Sequence, residues 1–540
     1  MNLRSRALRV GLGLFLLLAV AGVMLLAHLA DEGLTDPDES AYAESVREMA
    51  ERGDWLVPHL YGEPLLDKPI LFYWAMGASF RLFGENELAA RLPSVLAALV
   101  LLLAVRRLGV LIYRSESAGW IAASILLASP LFVVMGRAAV TDMILTAFCT
   151  LGILCYLETL REPGHRLLPL AGAACFGLAA LTKGPLGLVL PVLVLGGYLA
   201  ITRSLPQLRV LRPAASLIVI AALAVPWYAA IALIRPDLVE RFFVTGNLGR
   251  FLKPEHHAQP PLYYLVVLGI GFLPWSAFLP GAIGRSIVDW RRGSVLRPRL
   301  LPAVWLLTLL AFFTLAASKL PSYILPALPA AALVAAGPLE EWLDPRPGRR
   351  RPAGIGAMVF LTIFTAGIAC FVWKAERFGS VPTDLKVALL PLTLSGLAGS
   401  LVALGALLAG RSRTSYFLLL AGSMILVFSL VAFGFPRLEA WKSSREVADT
   451  VRHLLQPSDG VILYHENHPG FAYYLRRIPE LAHREQDLIA KLEERRRIYC
   501  LMGWDRYERL RIRHPAGSLY LVQKSGHVAV VTNYLPGASP

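Results

Sequence analysis

A short polar segment near the N-terminus carries residue types well suited to chemistry. Residues 35–40 read Thr-Asp-Pro-Asp-Glu-Ser, and a helical pattern follows them. Asp38 or Ser40 fits the N-cap of that helix, and the helix dipole favours acids in its first turn. Asp36 and Glu39 are therefore consistent with a capped amphipathic helix at a membrane surface. Alternatively, a carboxylate here acts as a general base or stabilises developing positive charge.

A second polar stretch lies just before the next apolar run. Asp67 and Lys68 precede a proline, and an aromatic patch that includes Tyr73 follows directly. Because Tyr and Trp favour the membrane–water interface, the patch by itself indicates only position. Lys68 is more informative, since a lysine ammonium is a common ligand of phosphate groups.

Ionisable residues inside or beside apolar runs form a third group. Asp142 lies about one turn inside an apolar run, Lys183 lies between two runs, and Arg91, Arg137 and Lys319 fall at the ends of runs. Ionisable groups near hydrocarbon are costly, so they are functional candidates by default. An arginine or lysine at a helix end can instead extend to the interface, which the short side chain of Asp142 cannot do.

The composition explains why these residues stand out. Hydrophobic residues make up 56% of the 540 residues, charged residues only 17%, and the mean hydropathy is +0.56. A soluble chain carries roughly 25% charged residues, so a cytosolic enzyme and a disordered chain are excluded. The net charge of +15 alone fits a nucleic-acid binder. The basic residues nevertheless lie in short loops between apolar runs, which is typical of a polytopic membrane protein.

The positions of the basic loops predict the topology. About 13 segments reach the roughly 20 apolar residues that a spanning helix needs. The first, at about residues 10–30, is predicted to be an uncleaved anchor, because its apolar stretch is too long for a signal peptide and no clear cleavage site follows. Alternate loops are basic, which predicts a cytoplasmic N-terminus. They lie at about residues 106–114, 161–166, 203–212, 285–299, 346–351 and 411–413.

The chain changes character after the last apolar run. We predict a membrane domain over residues 1–435, with its first outer loop at 31–91, and a soluble α/β domain over residues 436–540. Helical patterns alternate with strand-like runs in that tail. The predicted helices are residues 443–455 and 485–497, and the predicted strands are residues 460–464, 497–502, 519–523 and 528–532.

The ionisable residues near the membrane gather on one side of it, at the predicted outer face. This distribution favours a site that opens to the outside over a transporter site, which lies near the midplane. The outside compartment supplies no nucleotide sugars, so a transferase there needs a membrane-borne donor. The cations suited to the phosphate of such a donor are Lys68, Arg91, Arg137 and Lys183. Either Asp38 or Asp142 could act as a base or orient an acceptor.

The motifs around these residues resemble a known family. The run from Asp36 to Glu44, followed by residues 53–58 and 67–69, strongly resembles the first periplasmic loop of the GT-C glycosyltransferases. The most similar subgroup is the aminoarabinose transferase type, which is related to the protein O-mannosyltransferases. The likeness covers roughly residues 9–435. Further matching motifs lie at residues 91–93, 141–142, 181–185, 255–260 and 318–326.

The resemblance implies a fold and an activity. The fold is an all-α polytopic membrane protein with periplasmic juxtamembrane helices and a small C-terminal periplasmic α/β domain. The activity is inverting transfer of a sugar from a polyprenyl phosphate, with undecaprenyl phosphate as the carrier, in a bacterial inner membrane. Aminoarabinose transferases move 4-amino-4-deoxy-L-arabinose to a phosphate of lipid A. No nucleic acid is expected among the partners, which are the donor, the acceptor and the bilayer.

The resemblance also implies roles for individual residues. Asp38 corresponds to the loop carboxylate of the catalytic centre and Asp142 to its partner, and Lys68 corresponds to the residue that binds the donor phosphate. The family usually has Glu before this Lys-Pro pair, whereas this chain has Asp67, whose shorter side chain changes the geometry there. Further candidates for substrate contact are Glu39, Asp67, Tyr73, His256, His257, Lys319 and Tyr323.

The adjacent histidines 256 and 257 allow two interpretations. Together with Glu255 and the distant Asp67 they could form a divalent metal site, because imidazole and carboxylate groups suit zinc. Neighbouring residues rarely face the same way, however, so contact with phosphate or the acceptor headgroup is the preferred role. We therefore expect that no cofactor is required, with a divalent site at Asp67 and His256 as the alternative.

Two other functions remain open from the sequence. One is transfer of a different lipid-linked sugar to a protein hydroxyl or another glycan, for which Asp38 would have to act as a general base. The other is a secondary transporter, although an odd number of spans with an outer C-terminal domain does not suit paired repeats. Short motifs cannot identify the sugar, because sugar selectivity depends on the shape of the pocket.

Overall fold

The computed structural model describes residues 3–162, 164–252, 258–292, 297–343, 351–374, 383–514 and 519–534. The chain forms two compact units. The first, which we call the helical unit, comprises Met1–Ala27, Asp67–Phe72 and Pro93–Gly434. The second, which we call the α/β unit, comprises His28–Leu66, Tyr73–Leu92 and Phe435–Pro540.

Nineteen α-helices begin before residue 434 in the described part of the chain. They are α1 Leu3–Leu26, α2 Asp38–Arg52, α3 Leu71–Phe83, α4 Glu87–Tyr113, α5 Glu116–Leu127, α6 Pro130–Arg137, α7 Thr141–Arg161, α8 Leu168–Lys183, α9 Leu186–Ile201, α10 Pro213–Ile234, α11 Pro236–Glu240, α12 Arg250–Leu252, α13 Tyr263–Gly271, α14 Leu279–Arg291, α15 Leu301–Leu315, α16 Leu328–Leu343, α17 Arg351–Lys374, α18 Thr383–Leu408 and α19 Ser412–Ser429.

Shorter helical turns connect several of these helices. A π-helix at Arg241–Gly249 leads into α12, and a second one at Leu430–Gly434 follows α19. The 3-10 turns are Leu205–Leu211, Trp275–Phe278, Arg297–Leu300 and Pro321–Ala327.

The helical unit is that of a multi-pass membrane protein. Eight helical segments of the described residues are long and apolar enough to span a bilayer, or up to ten if each of two bent pairs is one span. Three shorter apolar helices are Leu168–Lys183, Leu186–Ile201 and Thr393–Leu408. The predicted total of about 13 spans stays a prediction, since length and composition alone do not fix the number.

Buried aromatic side chains donate hydrogen bonds to backbone carbonyls of other segments in the helical unit. The indole N–H of Trp305 donates to the carbonyl of Pro326 at 3.0 Å, and the hydroxyl of Tyr264 donates to the carbonyl of Leu320 at 3.1 Å. Both aromatic residues are almost fully buried. Because a buried N–H or O–H group needs a partner, these bonds fix the segment between α15 and α16.

The α/β unit contains the remaining helices and the strands. The helices are α20 Phe435–Arg437, α21 Glu439–Lys442, α22 Arg445–Leu454, α23 Pro469–Leu475, α24 Glu485–Leu492 and α25 Trp504–Arg513. The strands are β1 His59–Leu60, β2 Glu63–Pro64, β3 Gly460–Tyr464, β4 Glu480–Ala482, β5 Ile498–Gly503, β6 Tyr520–Ser525 and β7 Val528–Thr532.

Five of these strands form a mixed sheet with the order β4-β3-β5-β7-β6. The three strands β4, β3 and β5 are parallel, with Ile462 opposite both Glu480 and Cys500, and β7 pairs antiparallel with β5 and β6. The central strands β3, β5 and β7 are nearly fully buried, which is the burial pattern of strands covered on both faces. Each predicted tail strand corresponds to an observed one.

Helix α2 differs from both predictions made for it. It begins at Asp38, after Pro37 at the N-cap position, and no side chain caps it. The predicted N-cap at Asp38 or Ser40 is therefore wrong. The predicted amphipathic surface helix is also wrong, because every residue from 39 to 49 except Ala41 is buried. Tertiary packing on all sides of α2 overrides its polar sequence.

Candidate active site

A cavity of about 390 Å³ in the helical unit is lined by three of the charged candidates, Asp67, Lys68 and Lys183. This volume falls in the range of small-molecule sites. The polar groups in its wall come from Asp67, Lys68, Lys183, Asn247, Arg250, Ser318 and Tyr323. The aromatic part of the wall consists of Phe242, Phe243, Phe251, Phe312 and Phe313. The cavity can therefore take a ligand that is both anionic and apolar.

Asp67 lies between two cations in this cavity. One carboxylate oxygen is 2.5 Å from Lys68 Nζ, and the other is 3.2 Å from the guanidinium of Arg250. Burial raises the pKa of Asp67, but the charges of Lys68 and Arg250 outweigh that effect and lower the pKa to about 2. Asp67 therefore remains a carboxylate at any physiological pH and acts as the counter-ion of both cations.

The backbone around Arg250 holds this cation at the cavity. Arg250 begins α12 directly after the π-helix, and its carbonyl accepts a bond of 3.2 Å from the Ser318 N–H. The next residue, Phe251, accepts a bond of 2.9 Å from the Ala317 N–H. The segment before the 3-10 turn at 321–327 thus fixes Arg250. Sequence reasoning missed this residue, although it lies shortly before the histidine motif at 255–260.

Asp142 and Lys183 form a buried ion pair in the same unit. Lys183 Nζ donates to the Asp142 carboxylate at 2.7 Å, and each side chain is only 7% exposed. Lys183 also lies 4.7 Å from the ring centre of Tyr323, which is a cation–π contact. Asp142 is in the first turn of α7 and Lys183 in the last turn of α8, where the helix dipoles favour these charges. The glycine after Lys183 has a positive φ of 68°, which ends α8 at the pair.

Arg91 and Glu39 form a buried pair in the α/β unit. Arg91 donates to both Glu39 carboxylate oxygens, at 2.7 and 3.0 Å, and to the carbonyls of Leu29, Glu32 and Gly33. These bonds use all five N–H groups of the guanidinium. No donor of Arg91 remains for a phosphate, so the geometry favours a structural role for Arg91 and Glu39.

We expect substitution of Arg91 to affect folding rather than donor binding. Arg91→Met removes the charge beside the buried Glu39 and the hydrogen bonds to Glu39 and to three carbonyls. Breaking a buried pair in this way typically costs about 3–5 kcal/mol. The melting temperature of the purified protein should fall strongly, whereas the affinity of the folded fraction for the lipid phosphate that the sequence motifs lead us to expect should stay within about twofold of wild type. A large loss of affinity with unchanged melting would instead place Arg91 in the donor site.

The remaining candidates occupy varied environments. Arg137 is buried and donates to the carbonyls of Leu25 and Ala27, at 3.0 and 2.7 Å, which is typical of a cation that caps a helix end. Tyr73 is buried, with its ring centre 5.4 Å from that of Tyr42. Lys319 is buried in the extended segment after α15.

Asp38 is exposed at the start of α2, unlike the neighbouring Asp36 and Glu39. His256 and His257 lie outside the described residues. Among the residues that are described, no group of three or more His, Cys, Asp or Glu side chains could hold a metal ion. The structure thus brings Asp67, Lys68 and Lys183 into one cavity, with Asp142 paired to Lys183.

Comparison with solved structures decides the fold. The chain is similar to the crystal structure of ArnT from Cupriavidus metallidurans bound to undecaprenyl phosphate, with a TM-score of 0.81 over 97% of this chain and 99% of that one, at 24% identity. An oligosaccharyltransferase from Archaeoglobus fulgidus matches with a TM-score of 0.55, at 12% identity, over 92% of this chain and 69% of that one. The chain has the GT-C glycosyltransferase fold.

Sequence comparisons agree with this fold. Residues 13–239 match the family described as dolichyl-phosphate-mannose-protein mannosyltransferase. A curated relative from Yersinia enterocolitica, named undecaprenyl phosphate-alpha-4-amino-4-deoxy-L-arabinose arabinosyl transferase, is 36% identical over 60% of this chain and 59% of its own length. A relative of the same name from Serratia proteamaculans is 35% identical over 57% of this chain and 56% of its own length. The matched part of the chain thus spans less than two thirds of the length of these relatives.

Proposed function

We propose that this protein is an inverting glycosyltransferase that moves a sugar from a polyprenyl phosphate to an acceptor. The cavity in the helical unit is the observation that carries this proposal. Its wall combines two cations that share a single carboxylate, Lys68 and Arg250, with five phenylalanine side chains. A phosphate on an isoprenoid chain presents the matching chemistry, since cations bind phosphate and apolar walls bind hydrocarbon.

The most specific form of the proposal is transfer of 4-amino-4-deoxy-L-arabinose from undecaprenyl phosphate to a phosphate of lipid A. The names of the Yersinia and Serratia relatives support this donor and this sugar. The Cupriavidus ArnT structure is bound to undecaprenyl phosphate, which supports our proposal that this protein binds the same lipid phosphate. Lipid A as the acceptor follows from the resemblance of the motifs between Asp36 and Pro69.

The reaction would proceed by one in-line displacement. An oxygen of the acceptor attacks the anomeric carbon while the bond from that carbon to the polyprenyl phosphate oxygen breaks. The leaving phosphate keeps the bonding electron pair, and Lys68 and Arg250 stabilise the added negative charge. An acceptor phosphate is already ionised near pH 7, so Asp38 would orient it or stabilise positive charge on the sugar rather than remove a proton. No cofactor takes part in this scheme.

A protein hydroxyl is the second candidate acceptor. The match of residues 13–239 to the mannosyltransferase family favours it. A hydroxyl must lose its proton during attack, so Asp38 would then act as a general base. Both versions share the donor chemistry, and only the acceptor and the sugar differ.

We further propose a bacterial inner-membrane location with a cytoplasmic N-terminus and a periplasmic C-terminal domain. The basic residues of the alternate loops support this orientation. An alkaline phosphatase fused after Pro540 should be active in a Gram-negative host, because that enzyme needs the periplasm. An inactive phosphatase fusion together with a fluorescent GFP fusion at the same position would overturn the orientation.

A reconstituted assay tests the proposed activity. The purified protein in nanodiscs is supplied with undecaprenyl phosphate carrying either aminoarabinose or mannose, and with lipid A or a serine-rich peptide as acceptor. We expect aminoarabinose on lipid A, unchanged by EDTA. Transfer only to the peptide would overturn the lipid A version but keep the transferase, and no transfer from any polyprenyl phosphate donor would overturn the activity. Loss of activity in EDTA would support the divalent alternative at Asp67 and His256.

A further inference from the structure

Asp36 has an unusual number of partners for a loop carboxylate. The Ser40 hydroxyl and the Gly470 N–H donate to one oxygen, the latter at 2.7 Å. The Ser444 hydroxyl and N–H donate to the other oxygen, at 2.6 and 2.9 Å. The Asp36 N–H in turn donates to the Lys442 carbonyl at 2.7 Å. The side chain is only 3% exposed. The part of the α/β unit after residue 434, which we call the C-terminal segment, therefore holds both the backbone and the carboxylate of Asp36.

The partners of Asp36 lie where an α/β sheet normally binds a ligand. From β3 the chain passes through α23 to β4 on one side, and then through α24 to β5 on the other side of β3. Ligands of open α/β sheets bind at such a switch point, beyond the carboxyl ends of the strands. Gly470 is in the first turn of α23, just after β3. Asp36 therefore occupies, within the same chain, the position of an anionic ligand.

His468 extends the charge network around Asp36. Its ring lies 3.5 Å from Asp36 and 3.5 Å from Glu466, and it is buried. Glu466 also pairs with Arg506, and the ring of His527 lies 5.5 Å from that of His468. Burial lowers the pKa of His468, but the two carboxylates outweigh burial and raise it to about 9. His468 is therefore protonated at neutral pH and balances the buried charge of Asp36.

The raised pKa of His468 predicts a pH-dependent stability. A group whose pKa is higher in the folded state than in the unfolded state stabilises the fold fully when the pH is below the unfolded-state pKa. This stabilisation is lost as the pH rises through the folded-state pKa. The melting temperature of wild type should therefore fall between about pH 6.5 and pH 9.5. His468→Gln should melt lower at pH 6.5 and should show a smaller decrease. The same decrease in both proteins would contradict the role of this ion pair.

The anchor on Asp36 is directly connected to the start of α2. Asp36 lies two residues before Asp38, and Glu39 on the other side is held by the Thr35 N–H at 2.9 Å and by Arg91. The segments before and after Asp38 are thus both fixed, while Asp38 itself is exposed. A catalytic group needs this kind of support, because misplacement of about 1 Å can lower a rate about 100-fold.

We propose that the C-terminal segment positions Asp38. In this scheme Asp36 is the anchor, and it is bound at the switch point of the five-stranded sheet of that segment. This inference rests on the proposed function, because it takes Asp38 to be the catalytic carboxylate. Asp36 and Gly470 are positioning residues in this scheme. The segment binds part of its own chain at the place where related sheets bind a separate ligand.

Gly470 offers a sharp test of the anchor. A Cβ atom at this position would lie 2.8 Å from one Asp36 oxygen and 2.8 Å from the Ser444 hydroxyl, which is too close. Gly470→Ala should nevertheless favour the helix itself, because alanine has a higher helix propensity than glycine. The variant therefore displaces Asp36 without weakening α23. Glu508→Gln, on the exposed face of α25, is the matched control.

The full-length variants are compared in nanodiscs by kinetics and by hydrogen–deuterium exchange. We expect Gly470→Ala and Ser444→Ala to lower kcat about 10- to 100-fold, with the KM for the polyprenyl phosphate donor within about twofold of wild type. Amide exchange of the peptide at residues 33–42 should become faster, while Glu508→Gln changes neither quantity. A loss of activity only in proportion to the folded fraction would indicate a purely structural role and overturn the inference.

The exchange measurement separates this inference from the proposed function. If wild type transfers no sugar, or if Asp38→Ala keeps full activity, the proposed function or the role of Asp38 fails. Faster exchange at residues 33–42 in Gly470→Ala would still support the anchor in that case. If Asp38→Ala is inactive but Gly470→Ala keeps wild-type kcat and wild-type exchange, the positioning role is overturned while the proposed function stands.

Discussion

Replacement of Asp38 with alanine should lower the rate of sugar transfer about 100- to 10,000-fold, which is the usual contribution of a positioned acid–base or charge-stabilising group. Asp38 lies exposed at the first residue of α2, so its removal should leave folding intact. The rate is measured with purified protein, undecaprenyl phosphate-linked aminoarabinose and lipid A, and the melting temperature is recorded in parallel. Donor affinity should change little, because Lys68 and Arg250 remain.

The asparagine variant distinguishes the two candidate acceptors. An acceptor phosphate needs no proton removal, so Asp38→Asn should keep much more activity than Asp38→Ala if lipid A is the acceptor. A hydroxyl acceptor needs a base, and then the two variants should be equally inactive. Asp31→Asn removes an exposed carboxylate of the same segment and serves as the control. Wild-type transfer by Asp38→Ala would show that this carboxylate is not catalytic.

Replacement of Lys68 with alanine should weaken binding of the donor phosphate about 10- to 150-fold, since a hydrogen bond to a charged group contributes about 1.5–3 kcal/mol. Asp67 pairs with both Lys68 and Arg250 in the cavity wall. When Lys68 is removed, the negative charge of Asp67 is less well balanced, so Asp67 repels an incoming phosphate more strongly. The Kd for undecaprenyl phosphate in nanodiscs, measured by displacement of a labelled donor, checks this expectation.

Arg250→Ala should weaken the binding of undecaprenyl phosphate to a similar extent, and the variant that carries both Lys68→Ala and Arg250→Ala should have a still lower affinity. Arg241→Ala is a suitable control, because Arg241 is exposed and lies at the start of the π-helix that leads to Arg250. If Lys68→Ala and Arg241→Ala bind undecaprenyl phosphate with the same affinity, the cavity is not the phosphate site.

The features that depend on local pattern were predictable from the sequence. The apolar helices and the tail strands β3 and β7 follow from runs of hydrophobic residues, and both strands match the predicted bounds at 460–464 and 528–532. The second predicted tail helix ends earlier than expected, at Leu492, because the chain turns before β5. The short elements β4 and α23 were missed, since they have too few residues for a clear periodicity. Helix α25 was also missed.

The features that depend on long-range contacts were not predictable. The sequence around α2 is polar, yet burial in the folded unit turns it into a core helix. The sequence places Arg91 at the end of an apolar run, where its guanidinium could bind a phosphate. In the structure, however, all of its N–H groups donate to residues about 50 to 60 positions away in the chain. Arg250 lacks any motif of its own, and only its backbone contacts with residues 317 and 318 place it at the cavity.

For the same reason, the structure supports some of the candidate site residues more than others. Lys68, Lys183 and Tyr323 share the wall of one cavity, and Asp142 is paired with Lys183. Arg137, in contrast, is engaged by backbone carbonyls at the end of α1. A motif specifies which residue types occur together along the chain, whereas only the folded chain determines which donors are already used.

Mass spectrometry of lipid A tests the central claim most directly. Lipid A is compared between cells that carry the gene, cells that lack it, and deletion cells supplied with wild type, Asp38→Ala or Lys68→Ala. We predict that a pentosamine-sized addition is lost on deletion and is restored by wild type but by neither variant. Unchanged lipid A in the deletion strain, with a sugar missing from membrane proteins or another glycan, would contradict the lipid A acceptor.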